Sequence, residues 1–112
     1  MSFNTDYAEI EPVRSAIDAL DGPSLVEFGT PWCRHCLAAQ PLLEHALRTH
    51  PTVRHLKVED GPGRPLGRSF AVKLWPTLIF MRDGVEVERL VRPGDAAAIA
   101  EALARINLAA TH

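Results

Sequence analysis

The chain has 112 residues, 46% of them hydrophobic and 23% charged, with 12 Lys and Arg against 14 Asp and Glu for a formal net charge of −2. That length suits one domain with its own core, the composition excludes an intrinsically disordered chain, and the charge leaves no footprint for nucleic-acid binding. No run approaches the length of a membrane-spanning helix, and the polar, acidic start MSFNTDYAEIE lacks the basic and apolar segments of a secretory signal, so a cytoplasmic protein is expected.

In chain order, Pro12 to Leu20 places Val13, Ile17 and Leu20 at helical spacing, with Pro12 in the first turn. Asp21-Gly22-Pro23 stops that helix. Leu25-Val26-Glu27-Phe28 is short, apolar and β-prone, and reads as a buried strand. From Cys33 to about Thr49 the spacing of Ala39, Leu43, Ala46 and Leu47 predicts an amphipathic helix. Pro41 inside it removes a hydrogen bond and predicts a kink.

Val53 to Val58 reads as a second strand, and Asp60-Gly61-Pro62-Gly63 as a loop. That loop lacks the Gly-Lys-Ser/Thr ending of a phosphate-binding loop. Arg64 to Val72 is a short helix with Leu66 and Phe70 four apart. Thr77 to Met81 is a strand, and Asp83-Gly84 is the signature of a tight hairpin. Val85 to Leu90 returns, and a last helix follows Asp95, a natural N-cap, with Ile99, Leu103 and Ile106 on its inner face. A strand–helix–strand crossover implies a parallel pair. The hairpin adds an antiparallel one. The expected fold is α/β, a central mixed β-sheet with helices on both faces.

The two cysteines, Cys33 and Cys36, are too few for a disulfide scaffold. Three apart at the start of a helix, they can close a disulfide across its first turn. Cys33 there meets the unpaired amides and positive end of the helix, which favours the nucleophilic thiolate. Cys36, one turn further in, is placed to attack a mixed disulfide formed at Cys33. The intervening Arg34 adds a fixed positive charge, and the His35 imidazole can stabilise a nearby thiolate. The pair could instead be half of a structural zinc site with His45 and His50. Nine residues separate Cys36 from His45, however, roughly 13 Å along a helix axis, whereas zinc–ligand bonds are about 2.0–2.3 Å long. No metal or other cofactor is expected. His45, His50 and His112 read as solvated. Ten of the twelve basic residues are Arg. Arg suits bidentate anion recognition, but a GC-rich genome accounts for the bias as well.

Taken in order, these motifs resemble the thioredoxin family over about residues 24–106. Leu25 to Phe28 matches the strand before its active site, Trp32 precedes the first cysteine, and Pro41 follows the second by five. Trp75-Pro76-Thr77 matches the segment carrying a cis proline, and Asp83-Gly84 matches the hairpin. The resemblance implies a thioredoxin fold for a single domain over residues 1–112. Residues 1–11 would be flexible or supply a short first strand at 7–10. It also implies that Pro76 lies against the disulfide and leaves the backbone of Trp75 free to pair with an extended substrate. Trp32 and Trp75 would flank the site, partly exposed; core packing is the alternative for each.

The chain departs from the family in places. Arg34-His35 stands between the cysteines in place of Gly-Pro, and His before the second cysteine is what more oxidising relatives such as the protein disulfide isomerases carry. Glu27 replaces a buried Asp, Trp75 replaces Ile, Val or Thr, and the glycine expected near position 92 is missing, with Arg92 there. Glu27 has two readings. Its carboxylate reaches the surface, or it is buried and accepts the Cys36 proton during exchange, partnered by His55 or Lys57.

The expected function is a thiol–disulfide oxidoreductase with Cys33 as nucleophile and Cys36 resolving. Cys33, Cys36, His35 and Glu27 form the catalytic set, and Trp32, Arg34, Trp75, Pro76 and Arg92 the substrate-binding set. Its expected partners are protein thiol or disulfide clients and a recycling thiol reductase or glutathione, with the protein a monomer that binds neither nucleic acid nor membrane. The alternative is a binding or chaperone module that uses its cysteines little.

Overall fold

The computed structural model describes residues 2–107. Its elements run α1 (Arg14–Asp18), β1 (Pro23–Gly29), α2 (Arg34–Leu47), β2 (Arg54–Glu59), α3 (Pro65–Ser69), β3 (Thr77–Arg82), β4 (Val85–Val91) and α4 (Ala96–Ile106). The sheet order is β2-β1-β3-β4. β1 pairs parallel with β2 and antiparallel with β3, and β3 pairs antiparallel with β4.

The pleat of β1 divides the core, because successive side chains point to opposite faces. Leu25 joins Leu43 and Leu47 of α2, Leu78 and Phe80 of β3, and Ile99, Leu103 and Ile106 of α4. Val26 and Phe28 face the other way, onto Ile17 of α1, Leu66 of α3, Phe70, Ile79 and Met81. Both halves are fully buried, so truncating Leu25 or Leu43 to Ala would cost about 2–5 kcal/mol. Glu27 and Gly29 share the α2 face with Leu25, which aims both at the helix that carries the cysteines.

The hairpin forms as its sequence demands. Asp83 and Gly84 both take positive φ, 51° and 78°, the geometry whose twist matches the flanking strands. A Cβ at residue 84 would also collide with the Asp18 carbonyl. Asp95 caps α4 by accepting from the Ala98 N–H at 2.8 Å.

Four expectations at element ends need correction. The first helix begins at Arg14, because Val13 is extended at its N-cap, and Val13 is exposed where an inner-face position was expected. β2 begins and ends one residue later than the apolar run Val53 to Val58. The third helix stops at Ser69 and does not reach Val72. Ala71 takes φ 57°, and the N–H groups of Ala71 and Val72 fold back to the carbonyls of Arg68 and Gly67 at 3.0 and 2.9 Å, a left-handed helix stop. Residues 7–10 form no strand. They lie along the edge of β2, with one backbone bond, Ala8 N–H to Lys57 O at 2.9 Å.

Candidate active site

β1 ends at Gly29, and the turn that follows, closed by the Cys33 N–H on the Thr30 carbonyl at 3.4 Å, delivers Cys33 to the N-cap of α2. Both thiols are free. Cys33 is 8% exposed and Cys36 1%. Burial alone would raise the Cys33 pKa, but the Cys36 N–H and thiol, the His35 N–H and the charge of Arg92 together hold it below its ordinary value. Cys36 goes the other way. Burial pushes its thiol up to about 11, against an opposing contact from the Thr30 backbone and with further push from Cys33 and Glu27. One sulfur is therefore held towards thiolate just beneath the surface and the other is a fully sheltered thiol, separated by one helical turn.

Trp32 stands 71% exposed beside the pair and meets the half-buried Trp75 edge to face, ring centroids 5.8 Å apart. Trp75 is held by its indole N–H, which donates to Asp60 Oδ2 at 2.8 Å. The Trp75–Pro76 peptide bond is cis and Arg92 has φ 50°. Arg92 donates its N–H to the Pro76 carbonyl at 3.0 Å and Nε to the Trp75 carbonyl at 2.8 Å. Leu74 and Val91 are exposed next to these residues, so the rim is apolar with a guanidinium at one side. Arg34 and the His35 side chain lie in solvent.

Behind Cys36, Glu27 is wholly buried, which overturns the reading that its carboxylate reaches the surface. Its Oε1 faces His55 Nε2 at 2.8 Å, and Gln40 Nε2 donates to its Oε2 at 2.9 Å. The Asn4 N–H donates to His55 Nδ1 at 2.9 Å. A backbone N–H can only donate, so Nδ1 is bare and the ring proton sits on Nε2, pointing at Glu27. Both Glu27 oxygens then accept, as a carboxylate does. Gln40 also donates to the Cys36 carbonyl at 2.8 Å and accepts from Lys57 Nζ at 2.9 Å. Of the two candidate partners, His55 is thus direct and Lys57 acts through Gln40. Register alone would pair them the other way: Lys57 lies level with Glu27 and His55 with Leu25, but the Glu27 side chain reaches diagonally to His55 while Lys57 turns to Gln40.

The thioredoxin family model matches residues 8–105. This chain belongs to the thioredoxin family. Thioredoxin 2 of Pseudomonas aeruginosa PAO1, solved in its reduced form, is 58% identical with a TM-score of 0.84, covering 94% of this chain and 97% of that one. The thioredoxin of Chlamydia trachomatis is 41% identical over 71 residues, 62% of this chain and 69% of its own length. Protein disulfide-isomerase A2 of Pongo abelii is 42% identical over 87 residues, 72% of this chain, but the match spans only 17% of that protein.

Within this thioredoxin fold, Cys33, Cys36, Trp32, Trp75, Pro76 and Arg92 converge, with Glu27 beneath. His35 approaches Cys33 through its main chain. His45 is exposed, and His50 meets Asn107 at 3.1 Å. His112 lies outside the described residues. Among the described residues no cluster of three His, Cys, Asp or Glu could hold a metal ion, and no helix is long and apolar enough to cross a membrane.

Sequence reasoning missed four residues. Gly29 leaves room for the Cys36 sulfur, Asp60 fixes Trp75, Gln40 joins Glu27 to Lys57, and Tyr7 reaches Cys36 from the chain start. Gly29 ends a strand two residues beyond Glu27 on the same face, and Gln40 lies one turn after Cys36. Those two spacings are the signals that could have found them.

Proposed function

We propose that this chain is a thiol–disulfide oxidoreductase that exchanges its Cys33–Cys36 pair with protein disulfides. The observation that carries the reading is the asymmetry of the pair, a thiol held low at the helix start backed by one pushed up to about 11. Cys33 attacks a client disulfide and its sulfur bonds to one client sulfur, while the other client sulfur leaves as a thiolate. Cys36, losing its proton, attacks Cys33. The mixed disulfide breaks, the second client sulfur leaves, and Cys33–Cys36 closes. Glu27, a buried carboxylate near Cys36, takes up that proton. Trp32, Arg34, Trp75, Pro76 and Arg92 form the rim on which a client chain lies.

The protein works as a monomer in a reducing, cytoplasmic setting and is recharged by a thiol reductase or glutathione. What supports the reducing setting is that both cysteines of the chain lie in the one exchange site, which leaves none for a structural disulfide. The test is trapping. A Cys36→Ser variant should accumulate a mixed disulfide between Cys33 and a disulfide-containing peptide, and Cys33→Ser should abolish peptide reduction. Retained cellular function in Cys33→Ser, lost in Trp75→Ala, would make the chain a binding module instead.

A further inference from the structure

A cavity of about 390 Å³ opens behind the cysteine pair, lined by Cys36, Thr30, Leu37, Gln40, Lys57 and Tyr7 among others. Tyr7 arrives on the extended segment before α1, and that segment is fastened to β2. Asn4 gives its N–H to His55 Nδ1 at 2.9 Å and its side-chain amide to the His55 carbonyl at 3.4 Å. Phe3 stacks on the His55 ring with centroids 5.7 Å apart, and Ala8 bonds the Lys57 carbonyl. Lys57 Nζ lies 4.6 Å over the Tyr7 ring. These anchors bracket Tyr7 on both sides and turn its hydroxyl inward. The Cys36 sulfur and the Tyr7 hydroxyl converge on the same point: a Cβ at Gly29 would overlap the sulfur and lie 3.4 Å from the hydroxyl, and the hydroxyl hydrogen-bonds the Cys36 side chain.

We infer that Tyr7 is a catalytic residue of the exchange reaction, donating its hydroxyl hydrogen to the Cys36 sulfur whenever that sulfur is a thiolate. The inference rests on Cys36 being the resolving thiol. When a client thiolate attacks Cys33 of the oxidised protein, the Cys33–Cys36 bond breaks and its electron pair goes to Cys36. That charge appears on a buried sulfur near the buried Glu27 carboxylate, where a donor is needed most. In the opposite direction the same donor raises the share of Cys36 that is ionised and able to attack Cys33. Tyr7 suits donation and not proton abstraction. Burial, then the charge of Glu27, then the two cysteines raise the phenol above its ordinary range and keep it protonated.

The groups facing Cys36 are Glu27 from β1, Lys57 from β2, Cys33 at the helix start, Glu44 across the cavity and Tyr7 itself. Thr5 and Thr30 also bring hydroxyls to the cavity, the Thr30 one buried without a partner, but of these described residues Tyr7 is the one whose donor strength can be tuned with nearly no change of shape. The experiment is a carbon-13 NMR titration of the Cys36 Cβ in a Cys33→Ser background, which reads the thiol directly and needs no client. Tyr7→Phe should lower the thiolate fraction of Cys36 roughly tenfold at a given pH, the size expected for a hydrogen bond to a charged group. Replacing Tyr7 by 3,5-difluorotyrosine, a stronger donor of nearly the same shape, should move the titration the opposite way. In a Cys36→Ser background, Cys33 should titrate alike with Tyr7 or Phe at position 7. A Cys36 titration unmoved by fluorination would overturn the inference, even if Tyr7→Phe fails to fold. Trapping of clients by Cys36→Ser is a separate readout, so this inference can fail while the proposed function stands.

Discussion

Arg92 donates from Nε to the carbonyl oxygen of Trp75 at 2.8 Å, so the backbone acceptor next to Pro76 is already occupied by a side chain of the protein. The resemblance to thioredoxins led us to expect that group to be free for a client. A client strand shares that oxygen through its second lone pair, displaces the guanidinium, or brings a carboxylate to meet it.

Arg92→Gly tests this. Position 92 lies in the left-handed region at φ 50°, where Gly removes a penalty of about 1 kcal/mol, offset by the one lost side-chain hydrogen bond to the Trp75 carbonyl; the backbone bond to Pro76 remains. The variant should therefore stay within about 1 kcal/mol of the parent in denaturant unfolding. Loss of the charge should raise the Cys33 pKa. The parent should reduce acidic peptides faster than basic ones at low salt, through faster encounter, and the variant should show a smaller difference. Equal rates for the parent would sink the rim's proposed role.

Alkylation of the reduced protein at neutral pH should label Cys33 almost alone. With Cys36 pushed up to about 11, about one thiol in ten thousand is ionised there at pH 7. The direction also sets a stability window. The folded state favours the Cys36 thiol over its ordinary value of 9.0, so its contribution is present below pH 9 and is lost as pH rises through about 11. Unfolding of the reduced protein, compared with Cys36→Ala across that range, should show the steeper decline in the parent.

Glu27→Gln should be costly although it is isosteric. The Gln40 amide hydrogen aimed at Glu27 Oε2 would face another amide nitrogen. Turning Gln40 round would break its bonds to Lys57 and the Cys36 carbonyl. A loss of about 1–3 kcal/mol is expected, together with slower resolution of a trapped mixed disulfide. His55→Phe should cost about 1.5–3 kcal/mol, because it leaves the buried carboxylate with Gln40 as its remaining donor. Thermal and denaturant unfolding of both variants, with single-turnover disulfide closure, measures these.

Much of this was legible in the sequence. The strands, α2, α4 and the hairpin carry strong local signals, period and turn chemistry, and the cysteine spacing locates the nucleophile. What was not legible depends on side-chain reach and on aperiodic chain. Whether His55 or Lys57 meets Glu27 is set by a diagonal reach across β1 and β2, since Lys57 is the residue level with Glu27 and His55 the one that meets it, and no local pattern encodes that. Tyr7 sits in an extended segment with one ladder bond, so neither helical nor strand period marks it. The end of α3 was missed because Ala71 takes a backbone conformation usually left to Gly.

Gly29→Ala isolates the packing behind the resolving thiol. The new methyl would overlap the Cys36 sulfur well inside van der Waals contact and press on the Tyr7 hydroxyl. Overpacking of this kind costs about 1–3 kcal/mol, and a displaced Cys36 should close the disulfide more slowly. Oxidation kinetics of the dithiol, with Cys33 alkylation as the control, should show the first slowed and the second little changed.

The last prediction separates the two ways in which His35 can tune the pair. Its side chain is in solvent, while its N–H helps to hold the Cys33 pKa down. A stabilised Cys33 thiolate favours the reduced pair, so the disulfide becomes the stronger oxidant. Proline at position 35 removes the N–H along with the imidazole. His35→Pro should therefore raise the Cys33 pKa and shift the Cys33–Cys36 equilibrium with glutathione towards the disulfide, making the protein more reducing. His35→Ala keeps the N–H and removes only the ring. If the main chain does the tuning, His35→Ala should sit near the parent and His35→Pro well away from it. If both variants move together, the imidazole is the tuning group, and it must turn from solvent towards the sulfur to act.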